Sequence, residues 1–211
     1  MEWIKVYKDE INKKGVKKYI ENKVKYKKNY IKIIEKYANN KTIIETGCGT
    51  GIISLYLAQI GYKVVSIDND EKMINLAKQI SNIAKENENI PEYLKEDIIN
   101  CKFDRQFDVA FSNGVYEHFN DKMIIKAIKN IFNFCQYNII SVPTNFFNKK
   151  EATYGNERFM SKKDWLKILD SANFQIVEIK RFDDRKFVKK ILQVKKWFKN
   201  KPFIIFVLKK S

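Results

Sequence analysis

Apolar positions near the start of the chain recur at helical spacing. Between residues 8 and 38, Ile20, Val24, Ile31, Ile34 and Tyr37 are set among lysines, which predicts one or two amphipathic helices, broken near Gly15. The pattern then changes. Lys41-Thr42-Ile43-Ile44 is a short β-branched run and reads as a buried strand. Ile52, Ile53, Leu55, Tyr56 and Leu57 follow closely and suit a well-covered helix. Lys63-Val64-Val65-Ser66-Ile67 is the next strand, ending at Asp68. Near the other end Phe187, Ile191, Val194 and Phe198 share a helical face, with Val188 and Leu192 beside it and lysines opposite. That spacing predicts a basic helix over 185–199.

The junction between the first strand and its helix reads Glu45-Thr46-Gly47-Cys48-Gly49-Thr50-Gly51. It holds three of the seven glycines in a chain of 211 residues. Glycines at a strand-to-helix turn allow a tight bend and let a ligand approach the main chain. Free N–H groups at the helix start favour a negatively charged ligand group. The stretch therefore reads as a nucleotide or cofactor loop at the carboxyl edge of a parallel sheet. A dinucleotide fingerprint would need Gly at 52, where Ile stands, and no Gly-Lys-Ser/Thr follows, which excludes a P-loop.

What remains, E-x-G-x-G-x-G, resembles motif I of the class I S-adenosylmethionine (SAM) dependent methyltransferases. Further segments resemble that family in order. Asp68 ends the second strand, and Asn69 to Ala77, with Met73, is similar to the second helix. Glu96-Asp97-Ile98 is similar to the third-strand motif, and Gln106 to Phe119 to the fourth strand and its exit loop. Residues 138–143, 174–179 and 203–208 resemble strands five to seven, so the resemblance runs from about 42 to 209.

The resemblance implies an α/β fold: a three-layer Rossmann-like methyltransferase with a seven-stranded, mostly parallel sheet whose last strand is antiparallel. It implies one domain over 1–211, with a helical cap at 1–41, a SAM-binding core at 42–182, the basic insert at 183–201 and the last strand at 202–211. The implied cofactor residues are Glu45, Gly47, Cys48, Gly49, Gly51, Asp68, Asn69, Met73, Asp97, Ile98 and Asn113. The loop would wrap the methionine part of SAM, Asp68 would accept from both ribose hydroxyls, and Asp97 from the adenine amino group. The product would be S-adenosylhomocysteine (SAH). No metal is expected.

His118, the one histidine in the chain, lies just past the fourth strand and is the candidate general base; packing or capping the helix entry is its other reading. Tyr116, Asn113 and Asn145 are expected at the same mouth, with Tyr154 in a pocket wall. Arg158 reads either as a ligand for a substrate carboxylate or phosphate or as the partner of an acid such as Glu157. Strand four ends in Ser112-Asn113-Gly114-Val115, not an Asn/Asp-Pro-Pro-aromatic box, which argues against exocyclic methylation of adenine or cytosine.

Charge adds one feature. The formal net charge is +16, but residues 1–41 carry 13 Lys against 5 acids and residues 180–211 carry 12 basic residues against 2 acids. The middle, 42–179, carries 16 basic residues against 18 acids and is about neutral. The basic ends admit nucleic-acid contact, or peripheral membrane contact through 185–199. Three unpaired-looking cysteines and no long apolar run point to a reducing cytoplasm. The first expectation is methyl transfer to O or N of a small molecule. The alternatives are an RNA methyltransferase and a non-catalytic SAM-fold binding protein. The oligomeric state and the acceptor's identity are not encoded in any motif.

Overall fold

The computed structural model describes residues 3–146, 156–182 and 202–210. Two helices, α1 (Trp3–Lys14) and α2 (Val16–Tyr37), precede the sheet. They break at Gly15, whose φ of 74° is costly for any other residue. The remaining elements are β1 (Thr42–Thr46), α3 (Ile52–Gln59), β2 (Lys63–Asp68), α4 (Glu71–Ala84), β3 (Glu92–Lys95) and β4 (Phe107–Asn113). After a 3₁₀ turn at Tyr116–His118 come α5 (Asp121–Ile131), β5 (Cys135–Pro143), α6 (Lys162–Ser171), β6 (Gln175–Phe182) and β7 (Phe203–Lys209).

The strands form one sheet in the order β3-β2-β1-β4-β5-β7-β6. The ladders from β3 through β5 are parallel, and β7 runs antiparallel between β5 and β6. The strands are rich in β-branched residues because both faces are covered. Alternate residues serve the two faces. Ile43, Val109, Phe111 and Ile139 pack with Ile31 and Ile34 of α2 and Leu57 of α3. Ile44, Ala110, Ile140 and Phe206 pack with Ile128 of α5 and Trp165 of α6. The expected three-layer fold is therefore present. The cap is docked, not loose: Ile11 of α1 and Tyr19 of α2 pack with Ile52, Met73 and Ile80, and the Tyr30 hydroxyl donates to the Ser112 carbonyl at 2.6 Å.

One detail differs from the sequence reading. The third strand ends at Lys95, so Glu96-Asp97-Ile98 forms the turn that leaves it. The basic helix expected over 185–199 lies outside the described residues. Among the described residues no helix is long and apolar enough to cross a membrane.

Candidate active site

The order of the sheet reverses between β1 and β4, and the loops leaving those two strands face each other. Such a switch point opens a crevice at the carboxyl ends of parallel strands. A cavity of 1190 Å³ lies there. Gly47 and Gly49 meet it at left-handed φ values of 67° and 54°. A Cβ on Gly47 would come within 2.5 Å of the Val115 side chain on the β4 exit loop. The close approach of the two loops thus requires glycine. At Gly49 a Cβ would meet Tyr7 at 3.7 Å and Met73 at 3.9 Å, ordinary contact distances, so what calls for glycine there is the left-handed φ and not a close approach. Gly51 does neither. It caps α3 with a φ of 65°, and a Cβ there would strike the Tyr93 ring at 2.7 Å. Gly51 is absent from the cavity wall; its role is backbone and packing, a correction to its expected cofactor contact.

Acids stand around the glycine loop. The Asp68 carboxylate accepts from the Gly49 N–H at 2.9 Å and from the Asp70 N–H at 3.0 Å. It therefore fastens the loop while still lining the cavity, with lone pairs left for a ligand hydroxyl. Burial pushes its pKa up, against those two backbone bonds. Glu45 is 4% exposed and accepts from the Ser54 hydroxyl at 2.5 Å. Burial pushes it up to about 8. Cys48, Asn69, Met73, Asp97 and Ile98 also line the cavity, as does Asn113. The Asp97 carboxylate additionally accepts from the Ile99 N–H at 2.9 Å, which shapes its own turn.

Across the switch point, His118 and Asn156 line the wall and are joined, His118 Nδ1 to Asn156 Oδ1, at 2.8 Å. Three other expected residues are elsewhere. Tyr116 is 0% exposed, and its hydroxyl is bonded by the Asn138 amide at 3.2 Å in the core. Arg158 donates to the Phe119 carbonyl and to Asp121, each at 2.6 Å, so it ties the exit loop to α5 and does not line the cavity. The acid pairing foreseen for it exists, with Asp121 in place of Glu157. Asn145 is exposed and outside the cavity wall. Tyr154 lies outside the described residues.

Sequence reasoning missed two sets of residues. Tyr19, Lys23, Tyr26 and Lys27 of α2 line the cavity along one helical face. Their i, i+4, i+7, i+8 spacing was the available signal, hidden by lysines on every face. Glu117, beside His118, is 4% exposed, and its Oε2 is without a hydrogen-bond partner. Burial pushes it up to about 8, the neighbouring Glu157 adding to that and Lys27 opposing it.

Residues 44–136 match the family described as a methyltransferase domain. That stretch runs from β1 to the start of β5 and holds the glycine loop, Asp68, Asp97 and His118. The Rickettsia akari ubiquinone biosynthesis O-methyltransferase is 34% identical over 91 residues, covering 42% of this chain and 35% of that protein's length. The namesake from Rickettsia bellii strain OSU 85-389 is 25% identical over 182 residues, covering 77% and 70%. Among solved structures, magnesium protoporphyrin IX methyltransferase from Synechocystis PCC 6803 with bound SAH superposes with a TM-score of 0.67 at 18% identity, over 90% of this chain and 84% of that one. At that identity it shares the fold. In this chain the glycine loop, Asp68 and Asp97 stand on the β1–β3 side of the switch point, and Asn113 and His118 on the β4 side.

Proposed function

We propose that this methyltransferase moves the methyl group of SAM to an oxygen or nitrogen of a small-molecule acceptor. The observation that carries the reading is the two-sided cavity. Its volume, 1190 Å³, exceeds the ~300–1,000 Å³ of pockets that hold one ligand. One half has the glycine loop and carboxylates, and the other has an aromatic wall with lysines of α2 and one histidine. The residues on the first side fit the cofactor: Gly47 and Gly49 bring side-chain-free main chain to the cavity wall, and Asp68 keeps acceptor capacity for ribose hydroxyls.

SAM supplies a methyl carbon on a positively charged sulfur that is already a good leaving group. The chain's task is then chiefly positioning, which can contribute roughly 7–11 kcal/mol. Asp68 holds Gly49, and Val115 packs on Gly47, so the two loops flanking the transfer point are fixed to each other. His118 is the proposed base. The bond to Asn156 orients the imidazole in the cavity wall, where it would take a proton from an acceptor hydroxyl. The small-molecule reading draws support from the acceptors named for the Rickettsia akari and Synechocystis proteins and from the missing nucleobase box after β4.

The test is incubation of the chain and labelled SAM with fractionated cell extract. Label is expected in the small-metabolite fraction, and His118→Ala is expected to lower the rate by about 10²–10⁴ while leaving SAM binding intact. Label confined to RNA would overturn the acceptor class. SAM binding with no label transferred to any fraction would favour a non-catalytic binding protein.

A further inference from the structure

α2 turns two different faces to its surroundings. Tyr19, Lys23, Tyr26 and Lys27 line the cavity, and Tyr30, Ile31 and Ile34 are buried against the body. Lys25, Lys28 and Lys32 stand on the opposite side of the helix and are exposed. Their i, i+3, i+7 spacing sets them on one ridge. Lys17, also exposed, lies three turns before Lys28 on the same side. Four lysines thus follow one another along about 22 Å of helix.

The fold does not neutralise this ridge. Among the described residues, Lys17, Lys25, Lys28 and Lys32 make no ion pair and no side-chain hydrogen bond. The pairs that do form on α2's exposed side flank the central three: Lys18 with Glu21 at 3.1 Å and Lys36 with Glu178 at 2.6 Å. Between them, residues 22–34 hold five lysines and no Asp or Glu. Elsewhere surface lysines do find acids, as in Lys85–Glu88 at 2.9 Å and Lys95–Glu71 at 3.4 Å. Like charges at i, i+3 and i, i+4 repel and weaken a helix. A ridge that destabilises its own helix, with no acid of the fold opposite it, suits an anionic partner outside the chain.

We propose that this ridge of α2 docks on the phosphate backbone of double-helical RNA. A row of lysines in water complements a polyanion with regularly repeated phosphates. A bilayer fits less well, because binding at a membrane interface is reinforced by apolar side chains beside the charges. Among the described residues the exposed large apolar side chains are Ile60, Ile83, Ile90, Met123, Phe146 and Val177, and none is on α2. A single strand fits less well too, because it is held by stacking on aromatic rings. The tyrosines of α2 are engaged elsewhere: Tyr19 and Tyr30 are buried, Tyr26 lines the cavity, and Tyr37 donates to Glu178 at 2.7 Å. Asn29, exposed between Lys25 and Lys32, has an amide that both donates and accepts, which matches a ribose 2′-hydroxyl and favours RNA over DNA. The surface lies on the side of α2 away from the cavity. It holds the enzyme on RNA without presenting a base for methyl transfer, and so goes beyond the reaction proposed above.

The experiment is titration of the full chain, across a series of salt concentrations, with an RNA duplex, a DNA duplex of the same sequence and phosphatidylserine vesicles. The RNA duplex is expected to bind more tightly than the DNA, with an affinity that falls steeply with salt. Lys25→Gln, Lys28→Gln and Lys32→Gln together should weaken RNA binding at least tenfold and reduce the salt slope by about 2–3, near one for each lost phosphate contact, with SAH affinity unchanged. Lys28→Gln alone should reduce the slope by about one, which reads the same site if the triple variant does not fold. The control removes the same charge from the other side of the sheet, at the exposed Lys129, Lys163 and Lys167 of α5 and α6, and should leave the slope as it was. Equal losses from the two triple variants would mean that net charge alone binds RNA, and would overturn the site. No RNA binding, or equal binding of the two duplexes, overturns the proposal. So does vesicle binding that the ridge substitutions abolish while RNA affinity stays.

Discussion

At the scale of single residues, the buried carboxyls at the site set a pH dependence. Glu45 and Glu117 are both raised by burial, from 4.5 in the unfolded chain to about 8 when folded. The folded state therefore holds protons that the unfolded state releases. Their contribution to stability is full below about 4.5 and is lost as pH rises through about 8. Urea unfolding of the ligand-free protein between pH 5 and 8 should show stability falling by roughly 1 kcal/mol per pH unit for each group. Glu45→Gln and Glu117→Gln should each flatten that fall, and an unchanged slope in both would contradict the assignment. Asp68→Ala has two consequences. SAM affinity should drop at least tenfold in calorimetry. Stability should also fall by about 1–3 kcal/mol, because the Gly49 and Asp70 N–H groups lose their acceptor. Asp68 was legible as a site residue because it ends a strand at a fixed distance from a glycine loop. Tyr116 and Glu117 were not. They sit in a 3₁₀ turn, where successive side chains point about 120° apart. Adjacent letters in the chain do not reveal which of the three faces the cavity.

At the scale of elements, the β1–α3 loop separates two uses of glycine. Gly49 and Gly51 both hold left-handed φ, 54° and 65°. Alanine in that region costs about 1–2 kcal/mol wherever it stands. At Gly51 the new methyl also meets the buried Tyr93 ring at 2.7 Å, whereas at Gly49 it stands in ordinary contact with Tyr7 and Met73 at 3.7–3.9 Å beside the cavity. Gly51→Ala should therefore lose more stability than Gly49→Ala by at least ~1 kcal/mol, while Gly49→Ala should lose more SAM affinity. Thermal melts and calorimetry on the two variants read both differences, and equal effects on both would remove the distinction. The three-glycine pattern was visible in the sequence, but the division of labour was not, since Tyr93 reaches Gly51 from β3, 42 residues away. The third strand was placed too late for a related reason. β3 is a four-residue edge strand with little apolar pattern, and Asp97 fixes a turn right after it.

At the scale of the whole molecule, ligand and fold should stabilise each other. SAM or SAH at ~100 times its dissociation constant should add about 2.7 kcal/mol to the unfolding free energy. A melting temperature that rises with both is expected, and no rise with either, beside a rise with NAD, would contradict the family's cofactor here. The cap takes part in this linkage, because Tyr19 and Met73 belong to one apolar cluster that also borders the cavity.

The sequence by itself determined the features that local backbone demands or periodicity impose: the strand-glycine-helix turn, the acid at the end of β2, the two helices parted at Gly15, and the sequential order of the strands. Left-handed φ and helical spacing are properties of neighbouring residues, so they can be read in neighbouring letters. Only the tertiary structure decided which side of α2 faces the ligand, with Tyr26 and Lys27 in the cavity wall and Tyr30 in the core. It also decided that Arg158 is spent on Asp121 and that Glu117 is desolvated. Burial and side-chain partners are sums over segments that are distant in the chain. They are fixed only when β4 lies beside β1 and the cap closes over both.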